Sequence, residues 1–120
     1  MRFNIVAGEE LRKIMLGFVD DPIPFNEDMS KGAYTNEPFT EGFIKERSAV
    51  HGVSADLYKE KLSAFLKMLS AINDDDYVHL YFGEDETCLA NRRFLIAFLS
   101  NKCKCVYLHI VDEYTGLEIR

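Results

Sequence analysis

The chain has no tryptophan, only three prolines and three cysteines, and no apolar run close to the roughly 20 residues that a membrane-spanning helix requires. Three cysteines, an odd number with no export signal ahead of them, argue against a disulfide framework and predict reduced thiols at Cys88, Cys103 and Cys105. The opening "MRFNIVAGEE" turns acidic too soon for a secretory signal, so a cytosolic protein is expected. Positive charge is scarce too. Fourteen basic residues face 20 acidic ones, and a net charge of −6 repels polyanions, which disfavours nonspecific nucleic-acid binding. The Walker loop, GxGxxG, GxSxG and HExxH are all missing, so the common nucleotide, hydride, esterase and metalloprotease signatures are excluded.

What is present describes a globular domain. With 48% hydrophobic and 28% charged residues, 120 positions suffice for one core and are too few for two, so residues 1–120 are read as a single domain. Phe and Tyr supply the bulk that Trp does not.

The segment Arg2 to Ala7 is apolar and β-prone, and ends at Gly8 before the helix-favouring "EELRKIMLG". A second strand is expected in "FVDDPIPF". Pro22 and Pro24 cannot donate to a ladder, which makes that strand short or places it at a sheet edge. After a loop through Pro38, a helix is predicted over about Phe39 to Val50, with Phe39, Phe43 and Arg47 on one stripe. Ser54 then caps a second, continuous helix through "ADLYKEKLSAFLKMLSAI". "NDDD" ends it, "YVHLYFG" forms a third strand, a helix runs from about Asp85 to Ser100, and a fourth strand runs through about Val111. Strands that alternate with helical segments favour a small three-layer α/β fold. Its parallel, doubly wound sheet is expected to have strand order 2-1-3-4.

In such sheets ligands sit beyond the carboxyl ends of the strands. Each of those ends carries acid: Glu9 and Glu10, Glu27 and Asp28, Glu84 and Asp85, Asp112 and Glu113. If all converge on one rim, their repulsion calls for a divalent cation, an Arg or Lys partner, or a carboxyl whose pKa is raised. Acids also belong at helix N-termini, where the dipole favours them, so capping and a site compete as explanations.

Asn91 shares a helical stripe with Glu84, Cys88 and Leu95, which puts its amide near the rim. Cys88 lies near a helix start, yet flanking acids oppose a thiolate and core packing is the simpler reading. Cys103, Cys105 and His109 alternate on the last strand, but no second pair completes a zinc site. His79 is read as a hydrogen-bonded core imidazole. His51 ends a helix and is open to either role. Arg92 and Arg93 default to a solvated face.

"IVAGEELRKI", "PFNEDMSKGAY", "FIKERSAVHGVS" and "LYFGEDETCLANRRFLIAFL" resemble the bacterial domain-of-unknown-function family 1835 over essentially the whole chain. That resemblance carries over Gly8 and Glu9, Glu27, Met29 and Gly32, Arg47, and Glu84, Asp85, Cys88 and Asn91. Glu9 departs from an expected Asp, Thr87 from an aromatic and Leu89 from a Gln. Members of the family are often longer, so the resemblance implies the N-terminal part of a larger protein. It implies a shared acidic motif and no reaction.

The leading expectation is therefore a domain that binds a small anionic ligand or nucleotide through Gly8, Glu9, Glu27, Arg47, Glu84, Asp85 and Asn91. Glu9, Glu27 and Glu84 would hold Mg2+, and Arg47 or Arg93 the anion. The alternative is a non-catalytic interaction or regulatory domain that binds a protein partner.

Overall fold

The chain opens with β1 (Arg2–Val6). In this computed structural model, which describes residues 1–119, three more strands follow: β2 (Ile23–Pro24), β3 (Tyr77–Phe82) and β4 (Cys105–Ile110). Every neighbouring pair is parallel and the sheet order is β2-β1-β3-β4, the α/β arrangement the sequence predicts. The helices are α1 (Glu9–Met15), α2 (Glu41–His51), α3 (Ala55–Lys61), α4 (Ser63–Ala71) and α5 (Glu86–Leu99).

Alternation along the strands sorts the core into two layers. Ile5, Val78, Leu80 and Phe82 pack with Phe43, Phe65, Leu95 and Leu99 on the face covered by α2 to α5. Val6 and Tyr81 turn the other way and meet Leu11 and Met15 of α1, together with Val111. One seven-residue helix thus covers one face, and it packs on β1 and β2. Beyond Tyr81, which is buried, the α1-side face of β3 and β4 is only partly covered, and there Tyr107 is 43% exposed.

Three expectations need adjustment. Strand β2 shrinks to two residues at the sheet edge, because Pro22 and Pro24 remove the donors a longer ladder needs. The continuous helix expected from Ser54 is broken at Leu62 (φ −105°, ψ 14°). No Pro or Gly marks the break. It lets α3 aim the Tyr58 hydroxyl at Glu27 while α4 lays Phe65 against Phe25, ring centroids 4.9 Å apart. Finally, Cys103 precedes β4 and is buried in the α2-to-α5 layer, so it does not share a face with His109.

Local chemistry accounts for the other boundaries. Thr40 and Ser54 accept backbone N–H groups as N-caps of α2 and α3, and Gly52 closes α2 in the left-handed region at φ 66°. Beyond β4 the chain folds back through a Val111–Glu118 antiparallel bridge, with the Ile119 N–H donating to the Ile110 carbonyl at 2.8 Å.

Candidate ligand site at the carboxyl rim

Glu27 follows β2 and is the centre of a buried polar network. Arg47 reaches it from the stripe of α2 that also carries Phe43, and a cation on an apolar stripe needs a partner there. The guanidinium grips the carboxylate with two bonds, Nη2 to Oε1 at 2.9 Å and Nε to Oε2 at 3.0 Å, and neither side chain is exposed. Its remaining donors go to the carbonyls of Asp28 and Lys31, both at 2.8 Å, which ties the following loop to α2. Tyr58 donates to Oε2 at 2.5 Å and the Asp28 N–H to Oε1 at 2.7 Å. His51 Nε2 also lies against Oε1. Burial pushes the Glu27 carboxyl up, but the bonds from Arg47, Tyr58, Asp28 and His51 outweigh it and hold the group below its ordinary range. Tyr58 is raised by burial and by the Glu27 charge.

Asn91 completes the floor from α5. Its amide donates to the Glu27 carbonyl at 2.7 Å and accepts the Met29 N–H at 2.8 Å, so one buried side chain satisfies two backbone groups of the loop. Among the described residues no buried side-chain nitrogen or oxygen lacks a partner.

Over this floor lies a cleft of about 590 Å3, lined by Glu9, Asn26, Glu27, Asp28, His51, Val53, Tyr58 and Lys61. It opens where the connection leaving β1 turns to one face of the sheet and the connection leaving β2 to the other, the position at which doubly wound sheets bind ligands. A groove of about 600 Å3 beside α5, lined by Tyr34, Phe39, Phe94 and Phe98, is larger. Its rings pack on one another, and of the charged residues that line it Lys102 lies over the Phe98 ring, 4.8 Å from the centroid.

The structure divides the strand-end acids into separate groups. Glu9 is on the cleft rim in a two-pronged pair with Arg12, with contacts of 2.6 to 2.9 Å. Gly8, the N-cap of α1, has extended backbone at φ 176°. Asp28 accepts from Ser30 and Thr87. Asp85 caps α5 by accepting the Cys88 N–H at 2.8 Å, and Glu84 is exposed beside it. Glu113, from beyond β4, shares a hydrogen bond with Asp85, and Cys88 donates to it at 3.4 Å. This contact is close enough that a Cβ on Gly83 would come within 2.7 Å of the Glu113 carboxylate.

Asp85 and Glu113 are shifted in opposite directions by their shared hydrogen bond. Burial and its bond to Asp85 push Glu113 up, while Asp85 is held down by Glu113 and the Cys88 N–H. Burial and the Glu113 and Asp85 charges push the Cys88 thiol up to about 12. Among the described residues, Asp85, Cys88 and Glu113 form the one group of three potential metal ligands with all ligand atoms within 4.8 Å.

Glu9, Glu27 and Glu84 are therefore not brought together as a three-carboxylate metal cluster. Glu9 is paired with Arg12, and Glu27 has turned inward to Arg47. Arg47 in turn is fully buried and offers no donor to a ligand. Three expected residues, Glu27, Arg47 and Asn91, do meet, but as the floor of the site. Sequence reasoning missed the roles of His51, Tyr58 and Glu113. The spacing of Arg47 and His51, four apart on one helical face, was the available signal for the first.

Fold and rim together define a small doubly wound α/β domain with a candidate small-ligand cleft. Comparison with protein-family models, curated proteins and solved structures finds no match. The resemblance to family 1835 accordingly rests on the quoted motifs alone.

Proposed function

We propose that the chain is a ligand-binding domain that takes a small polar molecule, of nucleoside or nucleotide size, in the cleft over Glu27. His51 exchanges a hydrogen bond or proton with that ligand. One observation carries this reading. His51 is partly exposed, its Nε2 is held by a buried carboxylate, and its Nδ1 has no hydrogen-bond partner among the described residues. A carboxylate that fixes the Nε2–H tautomer leaves a lone pair on Nδ1, the arrangement that orients an imidazole as acceptor or base. The cleft volume of about 590 Å3 falls within the range of small-molecule sites.

Mg2+ enters this reading only with the ligand's own phosphates, because the Glu27 oxygens are spent on Arg47, Tyr58, His51 and Asp28. The resemblance to family 1835 is compatible with it, since Glu27, Arg47 and Asn91 are residues that resemblance carries over. Amide chemical-shift mapping by NMR with adenosine, AMP and ATP, each with and without Mg2+, tests the proposal. Shifts are expected at Asn26 to Asp28, His51, Val53, Tyr58 and Lys61, and they should weaken in His51→Phe. No shift at those positions with any probe, or equal shifts in His51→Phe, would refute it.

A further inference from the structure

On the face that α1 covers only in part, β3 and β4 place their side chains in parallel register, His79 beside Tyr107 and Tyr81 beside His109. The rings stack across the strands: His79 and Tyr107 at 4.6 Å between centroids, Tyr81 and His109 at 4.5 Å with only 9° between planes. Each imidazole is thus held by a phenol ring. His79 Nδ1 and His109 Nε2 lie 2.8 Å apart, and His109 Nδ1 lies 2.8 Å from Glu118 in the folded-back tail.

A carboxylate only accepts, so the His109 nitrogen facing Glu118 carries the proton, and in the neutral ring Nε2 carries the lone pair. The contact to His79 then holds a single proton between two nitrogens. We infer that His79 Nδ1 and His109 Nε2 form a two-imidazole chelate for a divalent late transition-metal ion of the copper(II) or nickel(II) class, with Glu118 as the outer carboxylate that orients His109.

Two independent features support this. The first is the strand register, which sets two imidazole nitrogens 2.8 Å apart as a hydrogen-bonded pair, so that once this bond breaks a turn of each ring aims both at one ion. Nitrogen donors completed by water oxygens suit copper(II) and nickel(II), and copper(II) heads the affinity order of the first-row divalent ions. The second is Glu118. Metal-binding imidazoles regularly donate their other N–H to a carboxylate, which fixes the tautomer and raises basicity. Both rings are only partly buried, so water can fill the remaining coordination positions.

On binding, the hydrogen bond between the rings breaks and two nitrogen–metal bonds form. In the neutral pair the His79 proton moves from Nδ1 to Nε2. If the pair carries an extra proton, that proton leaves to solvent.

The chain has three histidines, which makes the test direct. Copper(II) is titrated into the full chain and followed by electron paramagnetic resonance and calorimetry. One bound equivalent with two nitrogen donors is expected. The signal should be lost in His79→Gln and in His109→Gln, and affinity should fall about 10-fold or more in Glu118→Gln. Thermal melts of the variants report whether the fold is kept, and in a folded variant loss of the signal is assigned to the ligand. No bound ion at equimolar copper(II), or a two-nitrogen signal that survives in both histidine variants, overturns the proposal.

Discussion

Glu27 and Arg47, 20 residues apart in sequence, form a bidentate ion pair in which neither side chain is exposed to solvent. Almost everything at the rim follows from that pair. The Arg47 donors fix the loop after β2, the Glu27 acceptors fix Tyr58 and His51, and Asn91 fastens the same loop to α5.

Removing one partner leaves a buried charge without compensation. Arg47→Met is therefore expected to lower stability by about 3 to 5 kcal/mol, measured by urea unfolding. The double variant Glu27→Gln with Arg47→Met should recover part of that loss, because no uncompensated charge is then buried. A double variant no more stable than the Arg47→Met single would count against the pair as the organising contact.

Acid should unfold the protein partly through Glu27. Its folded-state value is held below the ordinary 4.5, so between the two values the unfolded chain binds more protons. The stability this group contributes is fully present above about 4.5 and is lost as pH falls through the depressed value. Glu27→Gln should flatten that acid limb in a series of thermal melts across the same pH range.

Glu113 has the opposite sign. Its raised value means that the folded chain binds the extra proton, and stability declines as pH rises from 4.5 through that value. Glu113→Gln keeps a donor for Asp85 and removes the second carboxylate charge. Its melting temperature should exceed that of the wild type at neutral pH and match it in acid.

Thiol reactivity should separate the cysteines. With Cys88 pushed up to about 12, its thiolate population near neutral pH is roughly three orders of magnitude below that of a free cysteine. Cys103 is buried, and Cys105 is the partly exposed one. A disulfide reagent should therefore titrate one thiol rapidly in the native protein, Cys105, and three after denaturation. Fast loss of the Cys88 thiol in a folded sample would contradict the environment described for it.

The fold was legible because each element carried its own signal. "RFNIVA" and "YVHLYF" announce strands by β-branched and aromatic residues, and Pro22 and Pro24 demote β2 to an edge. The alternation with helices then leaves little choice of topology. The break at Leu62 carried no such mark, since Leu is a good helix former and the contacts on either side of it, Tyr58 to Glu27 and Phe65 to Phe25, come from distant segments. The rim was half legible. That acids gather at strand ends can be read directly, but which of them turn inward depends on partners contributed by other elements. Arg47 on the Phe43 stripe pointed to one such partner. Tyr58, 31 residues from Glu27, and Glu113, beyond β4, gave no local sign of their partners. The acid cluster at Glu84 to Glu86 resolves in the same way. Asp85 caps α5 and binds Glu113, while Asn91, two turns of α5 away, is the residue of that segment that reaches the cleft floor.

The central claim is that the cleft over Glu27 and His51 is where this domain meets a small molecule. The most direct measurement is amide chemical-shift mapping of a general fragment library on the labelled wild-type chain, because small probes gather at true binding sites whatever the natural ligand is. Hits are expected to concentrate at Asn26, Asp28, His51, Val53 and Lys61. Hits that gather instead along Tyr34, Phe94 and Phe98, or none at the cleft, would contradict the account.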